Sequence, residues 1–446
     1  MKRIALLLLS CLGIWLLWRP WSAHDETSPL AGFRDKVLKP KRLQSTLASV
    51  EDRLERALDA ASQLEPKSGY LTRDCFESVS QEYLIQAQSR YLPLRQSLST
   101  PSPVTYYFAL NLYNNEAILP DMIHQLAQVL AHLGPEHCFV SIFENGSTDE
   151  TPNLLRNVFS SVLDVLNTPY EIRLSKTERT PGAHRIAYLA QVRNQALAPL
   201  YRLAKPPTSR RFDQIVFLND ILFCKDDVLE LIYQQSLQGS DMTCGLDYDL
   251  QWGDVPLFYD NWVARDITGL SFYKDPSAPI RSASADLYTR GIPFQSYCCW
   301  NGMNVMNPKP FYEHGVRFRK GQDTIDPNIP DTGECGASEC SLLCKDFWHT
   351  GYGKVVHVPR VKVAYEERVY VTLHSRNEAR TGQAFDRQFR PQGALFLPEE
   401  SQKITFQPPP PEQYCMSYHD PKIRESVFFA TWEDTPFHEL DPLELG

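Results

Sequence analysis

Three polar runs in this sequence each follow an apolar stretch, and their residue types suit work on phosphates, cations and hydroxyls. They are Tyr113-Asn114-Asn115-Glu116, the run Glu144-Asn145-Gly146-Ser147-Thr148-Asp149, and Asn219-Asp220. A carboxylate placed like Asp220 can hold a divalent cation through hard oxygens, which would bridge a diphosphate and stabilise it as it leaves. Glu144 can accept from a base or ribose hydroxyl, Gly146 allows a tight turn, and Ser147 or Asp149 can cap the helix that follows. Asp247-Tyr248-Asp249 competes for the cation, because carboxylates two apart on a strand share a face. Arg193, with His184 and Arg185 nearby, can meet a diphosphate or hold Asp220. Each group also has a plain structural reading: a strand–turn–cap, an Asn-Asp turn, or an arginine on a solvated helix face.

These residues need strands and helices to bring them together, and the apolar patterning supplies them. Strands are expected at Val104–Tyr113, Cys138–Phe143, Tyr170–Leu174, Gln214–Leu218, Met242–Leu246 and Val355–Val363. Helices are expected at Leu119–Leu133, Thr151–Leu163, Ile186–Tyr201, Val228–Gln238 and Cys335–Phe347. Strands alternating with helices imply βαβ units, hence a Rossmann-like α/β fold with a mostly parallel sheet flanked by helices. In such a sheet ligands bind beyond the carboxyl ends of the strands, where all three polar runs fall.

The chain has 446 residues with 43% hydrophobic and 11% aromatic content, enough for a sizeable core and against global disorder. A net charge of −9 argues against nucleic-acid partners, since phosphate neutralisation needs clustered Lys and Arg. The chain is expected to divide into an anchor at 1–21, a stem with leading helices at 22–100, an α/β domain carrying the three polar runs at 101–370, and an extension at 371–446. In the extension, Pro408–Pro411 is expected to end the compact domain.

Ile4 to Trp18 is apolar except for Ser10, follows Lys2 and Arg3, and is closed by Arg19. A cleaved signal peptide needs small residues at the −3 and −1 positions before its cleavage site, yet with Ala23 at −1 the −3 position is Trp21. Trp15, Trp18 and Trp21 suit an interfacial anchor instead, and so short a span suits a thin early-secretory bilayer. In the stem, Leu43, Leu47, Val50, Leu54, Leu58, Ala61 and Leu64 form a helical stripe, which either packs on the domain or self-associates as a short coiled coil. Beyond Cys11, ten cysteines could pair in an oxidising lumen. Cys335, Cys340 and Cys344 lack zinc spacing, so disulfides or buried thiols are expected.

Taken in order, Leu112–Glu116, Glu144–Asp149, Val192–Asn194 and Phe217–Asp220 resemble GT-A glycosyltransferases, with Glu144 a conservative departure from an acidic-start motif. Phe258–Ile267, Cys299–Met303, Glu334–Cys340 and Leu342–Trp348 further resemble the fungal α-1,3-mannosyltransferase family related to cryptococcal capsule-associated proteins, glycosyltransferase family 69. The resemblance spans about Val104 to Tyr365. It implies a type II Golgi membrane enzyme with a lumenal GT-A domain, moving mannose from GDP-mannose to a glycan acceptor with Mn²⁺ or Mg²⁺. By carry-over, Asp220 and Asn219 lie where the metal would be held, and Asp220 and Glu339 carry the catalytic roles. Asn115, Glu116, Glu144, Gly146, Ser147, Asp149, Arg193 and Asn219 would bind the donor. Trp300, Asn301 and Gly302 would line the donor–acceptor side. An α-linked product from an α-linked donor means retention, so Glu339 need not be a base and can orient the acceptor hydroxyl. Arg265 and Asp266 are expected to form a buried pair. Two rivals remain open: a non-catalytic relative serving polysaccharide assembly or export, and a nucleotidyltransferase.

Overall fold

The segment YYFALNL at Tyr106–Leu112 is buried along nearly its whole length, as a strand covered on both faces must be. Its side chains alternate between two cores: Tyr106, Phe108, Leu110 and Leu112 join one, Tyr107 and Ala109 the other. The computed structural model describes residues 36–40, 49–62, 80–176, 183–250, 255–275, 279–321, 334, 336–374, 396–399, 402–418 and 428–434. The apolar run Ile4–Trp18, much of the stem, Cys75 and Cys335 lie outside these residues. Among the described residues no helix is long and apolar enough to cross a membrane.

The strands are β1 (Lys36–Leu38), β2 (Tyr106–Leu112), β3 (Cys138–Asn145), β4 (Tyr170–Ser175), β5 (Gln214–Leu218), β6 (Met242–Asp249), β7 (Leu257–Phe258), β8 (Arg265–Asp266), β9 (Phe294–Cys298), β10 (Met303–Met306), β11 (Val355–Ala364), β12 (Glu412–Tyr418) and β13 (Phe428–Asp434). The main sheet runs β1-β4-β3-β2-β5-β10-β6-β11-β9-β8, with β7 beside β6. Strands β4, β3, β2 and β5 are parallel, and so are β6 and β11. The expected parallel sheet is therefore mixed: β10 wedges antiparallel between β5 and β6, and β9 lies antiparallel to β11.

The helices are α1 (Val50–Ser62), α2 (Gln81–Tyr91), α3 (Leu119–Leu133), α4 (Thr151–Leu154), α5 (Ser160–Leu166), α6 (Arg185–Ala204), α7 (Lys225–Gln238), α8 (Ala285–Arg290), α9 (Lys309–Glu313), α10 (Glu339–His349) and α11 (Glu367–His374). A π-helical segment at Leu155–Phe159 joins α4 to α5, where one uninterrupted helix was expected. Helices α3, α5 and α7 cover one face of the sheet, while α6 and α10 cover the other.

The described part of the stem stripe packs on the domain. Ala57 and Ala61 are buried, Leu54 and Leu58 lie against the core, and Arg53 reaches Glu136 at 2.7 Å and the Leu166 carbonyl at 2.8 Å. Over 50–62 that face is thus used within the chain. Cys244–Cys299 and Cys298–Cys344 are bridged, Cys224 and Cys415 are also disulfide-bonded, and Cys138 and Cys340 are buried thiols.

Pro408–Pro411 does not end the packed region. Beyond it β12 and β13 form an antiparallel hairpin that returns onto the domain. Tyr414 N–H donates to the Gly269 carbonyl and Tyr418 N–H to the Gly336 carbonyl, each at 2.8 Å, and Lys345 meets Glu433 at 2.7 Å. Gly269 has φ +82°, and a Cβ there would collide with the Glu412 carbonyl, so the docking requires glycine.

Candidate functional site

The loops leaving β2 and β3 are laced together by side chain to backbone bonds. Asn114 N–H donates to Ser147 Oγ at 2.9 Å, and Thr148 N–H to Asn114 Oδ1 at 2.9 Å. Glu116 N–H donates to Asp149 Oδ2 at 3.0 Å, and Glu150 N–H returns to Glu116 Oε2 at 3.0 Å. Glu144, 1% exposed, accepts from Ser147 N–H at 2.5 Å across a turn in which Gly146 has φ +88°. Burial raises its pKa, and the Ser147 and Gly146 amides oppose that shift. Glu116, Glu144, Gly146, Ser147 and Asp149, expected to bind the donor, are thus spent on holding the two loops, and none of them lines the strand-end crevice. Asn145 and Tyr113 face into it.

The crevice is a cavity of about 1000 Å³ over the carboxyl ends of β2, β3, β5 and β11. At its centre stands Arg193, on α6. Its Nε donates to Glu339 Oε1 at 3.0 Å, its Nη1 donates to Asn219 Oδ1 at 3.0 Å, and its guanidinium lies 4.6 Å from the Trp300 ring. Trp300 Nε1–H also donates to Asn219 Oδ1, at 3.2 Å. Two donors thus fill the Asn219 carbonyl, while Asn219 N–H is held by the Gly302 carbonyl at 2.8 Å. Glu339 opens α10 and is 2% exposed, so the ion pair with Arg193 is shielded from solvent.

Asp220 follows on the cavity wall, with Oδ2 accepting from Asn115 Nδ2 at 3.2 Å. Burial raises its pKa, opposed by Asn115 and Arg193. A desolvated carboxylate facing a polar cavity is a place where a cation would relieve the cost of charge. Among the described residues no three His, Cys, Asp or Glu side chains cluster as a metal cage. The donor set instead suits an ion that takes one carboxylate from the protein and completes its shell with substrate phosphates and water.

Asp247, the rival carboxylate, lies beneath the wall and is fully buried. It accepts from Asn301 Nδ2 at 2.9 Å, Tyr365 Oη at 3.0 Å and Asp260 N–H at 3.3 Å, while burial raises its pKa. Asp249 Oδ1 accepts from Leu250 N–H. Asn301 (φ +43°) passes the connection inward: its Oδ1 accepts from His357 Nε2–H at 3.0 Å, and His357 Nδ1 accepts from Ser296 Oγ–H at 2.7 Å. Burial alone lowers the His357 pKa to about 3, so the ring is neutral. Asn301 and Gly302, expected on the donor–acceptor side, therefore do not reach the cavity, and only Trp300 of that triplet lines it.

Arg265 and Asp266 are buried but not paired. Arg265 donates to the carbonyls of Asn261, Ala264 and Tyr414, while Asp266 Oδ1 accepts from the amides of Thr268 and Leu270. Residues not singled out from sequence also face the cavity: Asn111, Tyr188, Asp260, Lys274, Tyr365 and Met416. Position after a strand could have flagged Tyr365, which directly follows β11. Met416 gives no such signal, because it arrives from the returning hairpin.

A cavity of this size at the strand ends of a helix-flanked α/β sheet, with a desolvated carboxylate and an oriented guanidinium, has the position and lining of a small-molecule ligand site. Residues 105–346 match the model of the family described as cryptococcal mannosyltransferase 1. The chain is also 36% identical over 340 residues to the alpha-1,3-mannosyltransferase CMT1 of Cryptococcus neoformans var. neoformans serotype D, covering 71% of this chain and 68% of that one. The chain belongs to the cryptococcal mannosyltransferase family. Solved structures with weaker likeness include S. aureus TarS 1–349, at 11% identity over 64% of this chain and 70% of that one, with a TM-score of 0.33. Another is the mannosyltransferase PcManGT from Pyrobaculum calidifontis in complex with GDP-Man and Mn²⁺, at 11% identity over 71% and 68%, with a TM-score of 0.33.

Proposed function

We propose that this protein is a retaining, metal-assisted α-1,3-mannosyltransferase that moves mannose from GDP-mannose to a mannoside acceptor in the Golgi lumen. The observation carrying this reading is Asp220, desolvated at the end of β5 and facing a nucleotide-sized cavity within a chain of this family. Asn115 aims the carboxylate. Asp220 would hold Mn²⁺ or Mg²⁺ together with the donor phosphates, and the bound ion supplies neutralisation of the charge that develops on the departing diphosphate. Arg193 adds a fixed positive charge nearby, oriented by Glu339 and Asn219 so that little reorganisation is needed at the moment of transfer. Glu339 is occupied by that task, which agrees with a retaining course in which it is a positioning group. The run Ile4–Trp18 anchors the chain as a single-pass type II protein, and the bridged cysteines suit an oxidising lumen.

The test is a donor screen. Full-length protein with Mn²⁺, GDP-mannose and an α-mannoside is expected to form an α-linked disaccharide. Asp220→Asn should lower that rate by about 100-fold, the scale for removing one group that stabilises developing charge. Equal rates for the two proteins would refute the role of Asp220. A chain that binds no nucleotide and turns over no GDP- or UDP-sugar would leave the non-catalytic reading in its place.

A further inference from the structure

The cavity has two halves with different origins. One is walled from β2, β3 and α6, by Asn111, Tyr113, Asn145 and Tyr188. The other is walled by the segment after β7 and by the C-terminal hairpin, through Tyr259, Asp260, Trp262, Lys274 and Met416. Asp220 and Arg193 line the same cavity. If a nucleoside diphosphate occupies the strand-end half and reaches Asp220, the second half remains for another molecule.

That second half is a built surface. Trp262 Nε1–H donates to the Met416 carbonyl at 2.7 Å, which fixes the indole to β12. The Trp262 ring lies 5.8 Å from Tyr418, and the Tyr259 ring lies 5.0 Å from Tyr365. Tyr259 is nonetheless 37% exposed at the cavity, with Lys274 Nζ 5.9 Å from its ring centre. Between the two rings in sequence stands Asp260, whose pKa is pushed up to about 7 by burial and by the Asp247 and Glu339 carboxylates. Rigid aromatic and thioether walls beside a hydrogen-bonding carboxylate suit a pyranose ring, which offers apolar C–H faces and a rim of hydroxyls.

Resting on the glycosyltransferase reading above, we propose that the hairpin β12–β13 is part of the active site: with Trp262 and Tyr259 it forms the subsite for the acceptor sugar ring, and Asp260 accepts a hydrogen bond from an acceptor hydroxyl. This gives a function to chain beyond residue 346, where the family match ends. It also gives a reason for Gly269, the residue whose missing side chain lets Glu412 approach. The subsite takes a neutral pyranoside, and the hairpin sets how well it is held.

Trp262→Phe keeps an aromatic ring but removes the bond to Met416, and Met416→Ala trims the opposite wall. Each full-length variant is compared with wild type for binding of GDP with Mn²⁺ and for transfer to methyl α-mannoside. The acceptor KM is expected to rise about 10-fold while kcat and the GDP affinity stay within about 2-fold, the pattern of lost uniform binding at one subsite. An unchanged acceptor KM in both variants overturns the inference, as does an equal loss of GDP and acceptor binding, which would mean collapse of the whole cavity. A wild-type chain that binds no GDP overturns the glycosyltransferase reading and this inference with it.

Discussion

Replacing Arg193 with methionine keeps a side chain of similar reach but leaves Glu339 without its cation. The carboxylate is 2% exposed and the arginine side chain 13% exposed, so solvent screens the pair little. Removing one partner from a buried ion pair costs about 3–5 kcal/mol, most of it from the charge left behind. The bond to Asn219 at 3.0 Å adds about 1 kcal/mol, and the contact with Trp300 at 4.6 Å a further contribution of about 0.5–2 kcal/mol. A loss of at least about 3 kcal/mol is therefore expected in urea unfolding with the disulfides intact. Glu339→Met should be similarly costly. The double variant should lose at least about 2 kcal/mol less than the sum of the singles, because it leaves no orphaned charge. Strict additivity, or a cost below about 1 kcal/mol for Arg193→Met, would show that Arg193 and Glu339 are not coupled and would remove Glu339 as a positioning group.

Two further outcomes are expected. Asn145-Gly146-Ser147 is the sole N-x-S/T sequon in the chain, yet Asn145 is 9% exposed and its Nδ2 donates to Tyr188 Oη at 3.2 Å within the cavity. Active protein from a glycosylating host should carry no glycan at Asn145 by peptide mass spectrometry, and a glycan there on active protein would refute the placement of the donor half. His357, lowered by burial from 6.5 to about 3, stays neutral when folded while the unfolded chain takes up a proton below its ordinary value. Stability from this residue is thus present above pH 6.5 and falls as pH drops toward 3, by up to about 1.4 kcal/mol per pH unit. The difference between wild type and His357→Gln should accordingly shrink on acidification from about pH 6 to about pH 4, and parallel profiles would contradict it.

The helix-flanked strands that carry the polar runs were legible because strands buried on both faces read as continuous apolar runs and long helices read as periodic ones. Gln214–Leu218 and Leu119–Leu133 coincide with their observed bounds. Strand β10 was not legible: its four residues are buried between two neighbours and follow a Trp-Asn-Gly turn, leaving no alternation to see. Position after a strand placed Arg193's partner Asn219 and the carboxylate Asp220 at the cavity, but could not separate them from Glu116, Glu144 and Asp149. Those three carboxylates bind backbone amides of adjoining loops, a distinction set by side-chain direction, which spacing does not encode. Trp300 and Glu339 came from longer motifs. The return of the hairpin could not be read at all, because the interaction that docks it depends on the absence of a side chain at Gly269.

That docking has a consequence for biosynthesis. Arg265 and Tyr414, which hold the hairpin to the body of the domain, are 149 residues apart along the chain. A nascent polypeptide can assemble the strand-end half of the crevice from residues already emerged while the other half still lacks its lining. Such a partly made chain exposes an unfinished hollow edged by Trp262 and Tyr259, the kind of surface that folding assistants retain until the remainder arrives. Closure of the hollow therefore waits on the segment that brings Tyr414 and Met416 to their partners Arg265 and Trp262.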